Sequence, residues 1–162
     1  MDLTAKTPSQ SAVESRYLVM PQHANPFGTA FGGVIMSWID MAASMAAQKH
    51  CGTEVVTVSI DSLSFEQPIR IGDQVVLRAS VNYVSRTSME VGVKVLRENP
   101  ITNESTPATK AYLTFVAIDA AHRPIPAPPL VPQTEEEKRR AANAALRVRA
   151  RKLLRQQVKT GA

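Results

Sequence analysis

An α+β fold built on an antiparallel sheet is what this sequence predicts, and two observations predict it. Val34, Ile35, Trp38, Ile39, Ala42, Met45 and Ala46 recur at helical spacing. After them comes a run of segments in which apolar residues alternate two by two, the period of a half-buried strand. The order is a strand, one helix, then four long strands, which suits antiparallel pairing.

Each element has its own signal. Arg16–Met20 is a short strand candidate, followed by a loop rich in Gly, Pro and Asn from Pro21 to Gly32. Gly33 to about Lys49 reads as one helix, favoured by alanine and methionine and stopped by Gly52. Glu54–Phe65 is β-branched, with Val56, Val58 and Ile60 alternating. A shift in phase by Leu63 predicts a bulge near Asp61–Ser62. Gln74–Val84, Met89–Leu96 and Thr109–Ile118 supply three more strands, the first two joined tightly by Arg86-Thr87-Ser88.

The helix is too apolar to lie on the outside, so the sheet must wrap it. That is the hot-dog arrangement. One sheet around one helix leaves strand edges open and should pair with a second copy. The expected organisation is a polar, flexible stretch over 1–12 and a core domain over 13–121. A semi-rigid segment with five prolines follows over 122–132, then a basic helix over 133–162. Thr134 and Glu137 have capping-box spacing at that helix's start.

Composition excludes several classes. The chain has 162 residues, 44% hydrophobic and 20% charged, as in a single globular domain. No apolar run reaches the ~18 residues of a membrane span. The first residues, MDLTAKTPSQS, lack the apolar core of a secretory signal. A single cysteine, Cys51, offers neither an intrachain disulfide nor a metal cluster, and a reducing cytoplasmic setting follows as the expectation. Residues 1–132 carry ten Lys/Arg against eleven Asp/Glu, whereas 133–162 carry nine against three. The basicity therefore belongs to a tail, and no nucleic-acid partner is expected.

Two features carry chemistry. Gly32-Gly33 opens the helix, where first-turn N–H groups lack intrahelical acceptors and stand at the positive end of the dipole. Aimed at a carbonyl, such donors are worth roughly 3–4 kcal/mol each to a developing oxyanion. Equally, this is how a helix starts after a glycine-rich turn with no ligand at all. Asp40 stands among Trp38, Ile39, Met41, Ala42 and Ala43, where a carboxylate must be paired, exposed or functional. It lies about two turns, ~10 Å, from the helix start, too far for one reacting atom to touch both in a single copy. Two copies remove the difficulty. The competing reading puts Asp40 on a solvent stripe with Ser37, Ser44 and Gln48.

The segment containing Asn25, Gly28, Phe31-Gly32-Gly33, Ile35-Met36 and Ile39-Asp40 resembles the hot-dog acyl-CoA thioesterases, bacterial and cytosolic animal alike. The resemblance continues through Val55-Val56-Thr57, Phe65, Pro68, Ile71-Gly72-Asp73, Arg86-Thr87-Ser88 and Phe115–Asp119, over about residues 13–125. It implies hydrolysis of acyl-CoA to fatty acid and CoA, with no metal or redox cofactor. It makes Asp40 the catalytic carboxylate, as general base or as nucleophile. It assigns Asn25 of the opposite subunit to position water or thioester, and Gly33 N–H to polarise the carbonyl; the competing reading of Asn25 is an ordinary Asn-Pro turn. It implies a homodimer, assembled further as a trimer of dimers. Arg86, Thr87 and Ser88 suit a CoA phosphate, or equally an ordinary hairpin with a solvated arginine, and Ser59, with Asp61, could line the site. The basic tail could contact CoA phosphates or an anionic membrane surface.

Two other functions fit a hot-dog domain. A hydratase or dehydratase would need a catalytic histidine, for which His23 is the candidate; the sequence context favours a polar loop residue. A non-catalytic acyl-CoA-binding protein would bind thioesters without releasing thiol.

Overall fold

The computed structural model describes residues 3–61 and 63–160. At its centre is α2, Gly32–Cys51; α1 is a single turn at Pro8–Ser11. Gly52, at φ 69°, ends α2 in the left-handed region and donates its N–H to Gln48 O at 2.7 Å. Around α2 curls one antiparallel sheet of β1 (Val13–Leu18), β2 (Val55–Ile60), β3 (Gln74–Val84), β4 (Ser88–Glu98) and β5 (Ser105–Ala117), in the order β1-β3-β4-β5-β2. The hot-dog expectation holds.

Alternation builds the core. Val75, Leu77, Val91, Val93, Leu113 and Phe115 point from the three long strands onto Ile35, Ile39, Ala42 and Ala46. The alanines of α2 let the sheet approach closely, and each larger buried side chain stabilises by about 1.5–3 kcal/mol. The opposite face of the sheet is polar and is crossed by α3, Glu135–Thr160. The basic helix is therefore not merely solvated. Arg147 binds Glu90 Oε1 at 2.6 Å and lies 3.6 Å over the Tyr112 ring. Arg151 binds Glu90 Oε2 at 2.9 Å and also pairs with Asp61. Glu90, an otherwise costly buried carboxylate, is fully enclosed by this clamp.

Four expectations need correction. β1 runs over Val13–Leu18, not Arg16–Met20, because Glu14 and Arg16 face outward to Arg78 and Glu98 while Val13, Ser15 and Tyr17 turn inward. The β2 bulge falls between Thr57 and Ser59, not at Asp61–Ser62; Ser62 itself lies outside the described residues. β5 starts at Ser105, its register stepping past Ala108 beside Pro107. Residues 6–12 are tied down rather than loose: Lys6 N–H donates to Pro129 O, Val131 N–H returns to Lys6 O, and Thr7 starts α1.

The proline-rich segment is a strap. Its non-proline residues Ile125, Ala127 and Val131 donate to Ala117, Arg86 and Lys6. His50, at the buried end of α2, meets Pro128 O through Nε2 at 2.9 Å. The strap delivers the chain to Thr134, whose Oγ1 accepts Glu137 N–H while Glu137 Oε2 accepts Gln133 and Thr134 N–H. This is the capping box that the spacing predicts. Among the described residues no helix is long and apolar enough to cross a membrane.

Candidate active site

Asp40 lies on α2, half-buried, facing β2 at the sheet edge. Thr57 Oγ1 donates to Asp40 Oδ1 at 2.9 Å, which leaves the second oxygen of the carboxylate open. The neighbourhood is exposed and apolar: Met36, Met41 and Met45 on α2, Val56, Val58 and Ile60 on β2, each at least 38% exposed. This exposed strip borders an unpaired strand edge. The stripe that carries Ser37 and Ser44 thus also carries three methionines.

Gly32 and Gly33 are the first residues of α2. Phe31 O takes the N–H groups of Val34 and Ile35, at 2.9 and 3.3 Å. Among the described residues no acceptor meets the Gly32 or Gly33 amide, and Gly33 is exposed. A Cβ on Gly33 would sit 2.6 Å from the Phe31 ring, so a side chain there displaces that aromatic. Phe65 lies against Gly32 and Phe31 against Gly33 at this helix end, and both rings are exposed.

Asn25 organises its own loop. Oδ1 accepts from Phe27 N–H at 3.0 Å and Thr29 N–H at 3.2 Å, and Nδ2 donates to Thr29 Oγ1 at 2.8 Å. The turn reading is therefore realised, and it fixes the amide while leaving its second N–H free to donate. His23 is structural: Nδ1 accepts Met20 N–H at 3.1 Å, and the ring stands edge-on to Trp38, itself stacked on Tyr17.

The remaining sequence candidates scatter around this centre. Arg86 and Thr87 lie in the β3–β4 turn and Ser88 opens β4, where sheet register carries it across Val116 to Val56, next to Thr57. The Arg86 side chain borders a cavity of about 430 Å³ beneath the strap, beside Pro129 and Leu130. Ser88 shares a smaller recess with Lys152 and Arg155 of α3. Ser59 Oγ is buried without a hydrogen-bond partner. Asp61 is committed to Arg151. Sequence reasoning missed Thr57, although it stands in the Val55-Val56-Thr57 run; nothing in a β-branched strand marks which residue reaches the helix.

A model of the thioesterase superfamily matches residues 27–103. The acyl-CoA thioester hydrolase YkhA of Bacillus subtilis is 45% identical over 128 residues, covering 79% of this chain and 74% of its own. An acyl-CoA hydrolase from Staphylococcus aureus, solved with butyryl-CoA, CoA and CoA disulfide, superposes with a TM-score of 0.90. It is 38% identical and covers 97% of this chain and 96% of its own. A hexameric acyl-CoA thioesterase solved in the apo form gives 0.89 at 41% identity, covering 92% and 96%. Structures of the Staphylococcus aureus protein also exist with an Asn, an Asp and a Thr each changed to Ala. Those positions are spaced 15 and 17 residues apart, as are Asn25, Asp40 and Thr57 here.

Proposed function

The chain belongs to the acyl-CoA thioester hydrolases of the thioesterase superfamily, and on that premise we propose that it cleaves acyl-CoA at a site completed by a second copy of itself. The observation that carries this reading is the carboxylate of Asp40, held by Thr57 beside an open strand edge and an exposed methionine strip. A second β2 edge covers that strip and brings the partner's loop to the carboxylate. The hexameric relative supports a trimer of such dimers.

The thioester carbonyl rests on the Gly33 N–H of one copy, at the positive end of its helix. Asp40 of the other copy either takes a proton from water as the water oxygen attacks, or attacks the carbonyl itself to form a mixed anhydride that water opens. In both routes the C–S bond breaks, the acid leaves with one oxygen from water, and the CoA sulfur takes up a proton. Asn25, fixed by Thr29, donates its remaining N–H to the water or thioester across the interface. Arg86, Thr87, Ser88 and Ser59 receive the CoA moiety. These steps call on carboxylate, amide and water, and on neither a metal nor a redox cofactor. The setting is the cytoplasm, where acyl-CoA serves fatty acid metabolism; the single, buried Cys51 suits it.

Subunit mixing tests the arrangement. Asp40→Ala and Asn25→Ala are each nearly inactive in thiol release from a panel of CoA esters. Unfolded together and refolded, they recover up to about a quarter of the wild-type sites, because half the dimers are mixed and each mixed dimer keeps one intact site. No recovery means that both residues act within one chain.

A further inference from the structure

On the face of the sheet opposite Asp40, register sets three cations side by side. Arg78 of β3 pairs with Lys94 of β4, and Lys94 with Lys110 of β5. Like charges directly opposite on neighbouring strands repel. Glu14 binds Arg78 at 2.8 Å, but no salt bridge reaches Lys94 or Lys110 among the described residues. α3 passes overhead and adds Arg139, Arg140 and Arg147, the last already paired with Glu90, together with one carboxylate, Glu136, which binds Arg139 at 2.6 Å and also feels the charges of Lys94 and Arg140. The chamber between sheet and helix is about 230 Å³ and is partly open to solvent, where Lys94, Lys110 and Arg139 are exposed.

The next row of the sheet also lines this chamber, through Asn82 and Gly92. β3 bulges between Val81 and Tyr83, which puts Asn82 out of register and over Gly92. A Cβ at Gly92 would lie 2.3 Å from Asn82 Nδ2, so a side chain there would displace that amide. Ser80, 8% exposed, lines the same chamber with a buried hydroxyl that has no partner, and the buried Arg140 Nε has none either. Cations set against one another, an orphan hydroxyl and an orphan guanidinium N–H are what a phosphate group satisfies.

We infer that this chamber binds a phosphate-bearing anion, at a site distinct from the thioester centre and separated from it by the sheet. Its size suits a diphosphate or the phosphate end of a nucleotide rather than a whole coenzyme. The inference does not depend on how Asp40 acts.

Calorimetric titration of the full-length assembly with inorganic pyrophosphate, ADP and CoA tests it. Pyrophosphate binds, and Lys94→Gln and Lys110→Gln each weaken it about tenfold, the loss of one charge-assisted contact. Ser80→Ala weakens it less, and Asp40→Ala leaves it unchanged. Uptake of ADP or CoA with the same lysine dependence assigns the physiological source to a nucleotide; uptake of pyrophosphate alone assigns it to a free anion. Failure of all three to bind, or binding indifferent to both lysine changes, overturns the inference.

Discussion

Thr57 Oγ1 and Asp40 Oδ1 stand 2.9 Å apart, and through that bond the outermost strand grips the central helix at the one carboxylate the helix carries. The donor holds one oxygen and leaves the other open. Removing the carboxylate removes the base or nucleophile, so Asp40→Ala should lower kcat by at least 10²–10⁴-fold. The far-ultraviolet circular dichroism should stay as it is. Unchanged thiol release would discard the mechanism.

Thr57→Ala should cost about 10–100-fold in kcat with little change in KM, the worth of a hydrogen bond to a charged group. Thr57→Ser keeps the hydroxyl and should restore most of the rate. Equal losses in both variants would mean that Thr57 serves packing alone.

Asn25 separates loop from chemistry. Asn25→Asp retains the oxygen that accepts from Phe27 and Thr29 N–H, but loses the amide donor. The loop should keep its conformation and the enzyme should lose turnover. Asn25→Ala should lose both. If Asn25→Asp turns over normally, the amide is only a turn residue.

His50 makes stability depend on pH. Burial pushes its pKa below the ordinary 6.5, against the opposing pull of Pro128 O and with help from Lys6. The unfolded chain therefore binds the proton more readily. The stability from the neutral ring is fully present above about pH 6.5 and is lost as pH falls from there toward the folded pKa. Protonation also gives Nδ1 a hydrogen with no acceptor. Melting temperature should drop between pH 7 and 5, and His50→Gln should flatten that slope; an unaltered slope would acquit the ring.

Arg147→Ala leaves Glu90 enclosed with one of its two guanidinium partners. The expected loss is about 2 kcal/mol, below the ~3–5 kcal/mol of a fully buried pair because Arg151 remains and Arg147 is partly exposed. Adding Glu90→Gln should recover part of it in denaturant melts, since no buried charge then lacks a partner.

Much of the fold was legible because burial writes a period into the chain. The α2 apolar face and the alternating β3 and β4 could be read with nearly the right limits. β1 was misplaced because Glu14 and Arg16 occupy its outer face and leave only half its residues to signal. The strap was read as a linker because five prolines suggest a chain without hydrogen bonds; its donors are the residues between them. Of the candidate site, Asp40 stood out in the sequence as a charge in an apolar helix, and Gly33 by its place at a helix start. Thr57 did not, because its role depends on an edge strand meeting a helix 17 residues away, which no local pattern encodes. The Lys94–Lys110 row was invisible for the same reason: register, not sequence distance, makes those lysines neighbours.

The strap between Asp119 and Thr134 has a further effect. It stitches the amino-terminal segment, the far end of α2 and the first turn of α3 to one another through Lys6, His50 and Glu137. The segment around Lys6 and the start of α3 are thereby moored to a common knot. A disturbance at one terminus, such as a bulky fusion before Lys6, is passed straight to the helix that roofs the back of the sheet, without travelling through the sheet at all.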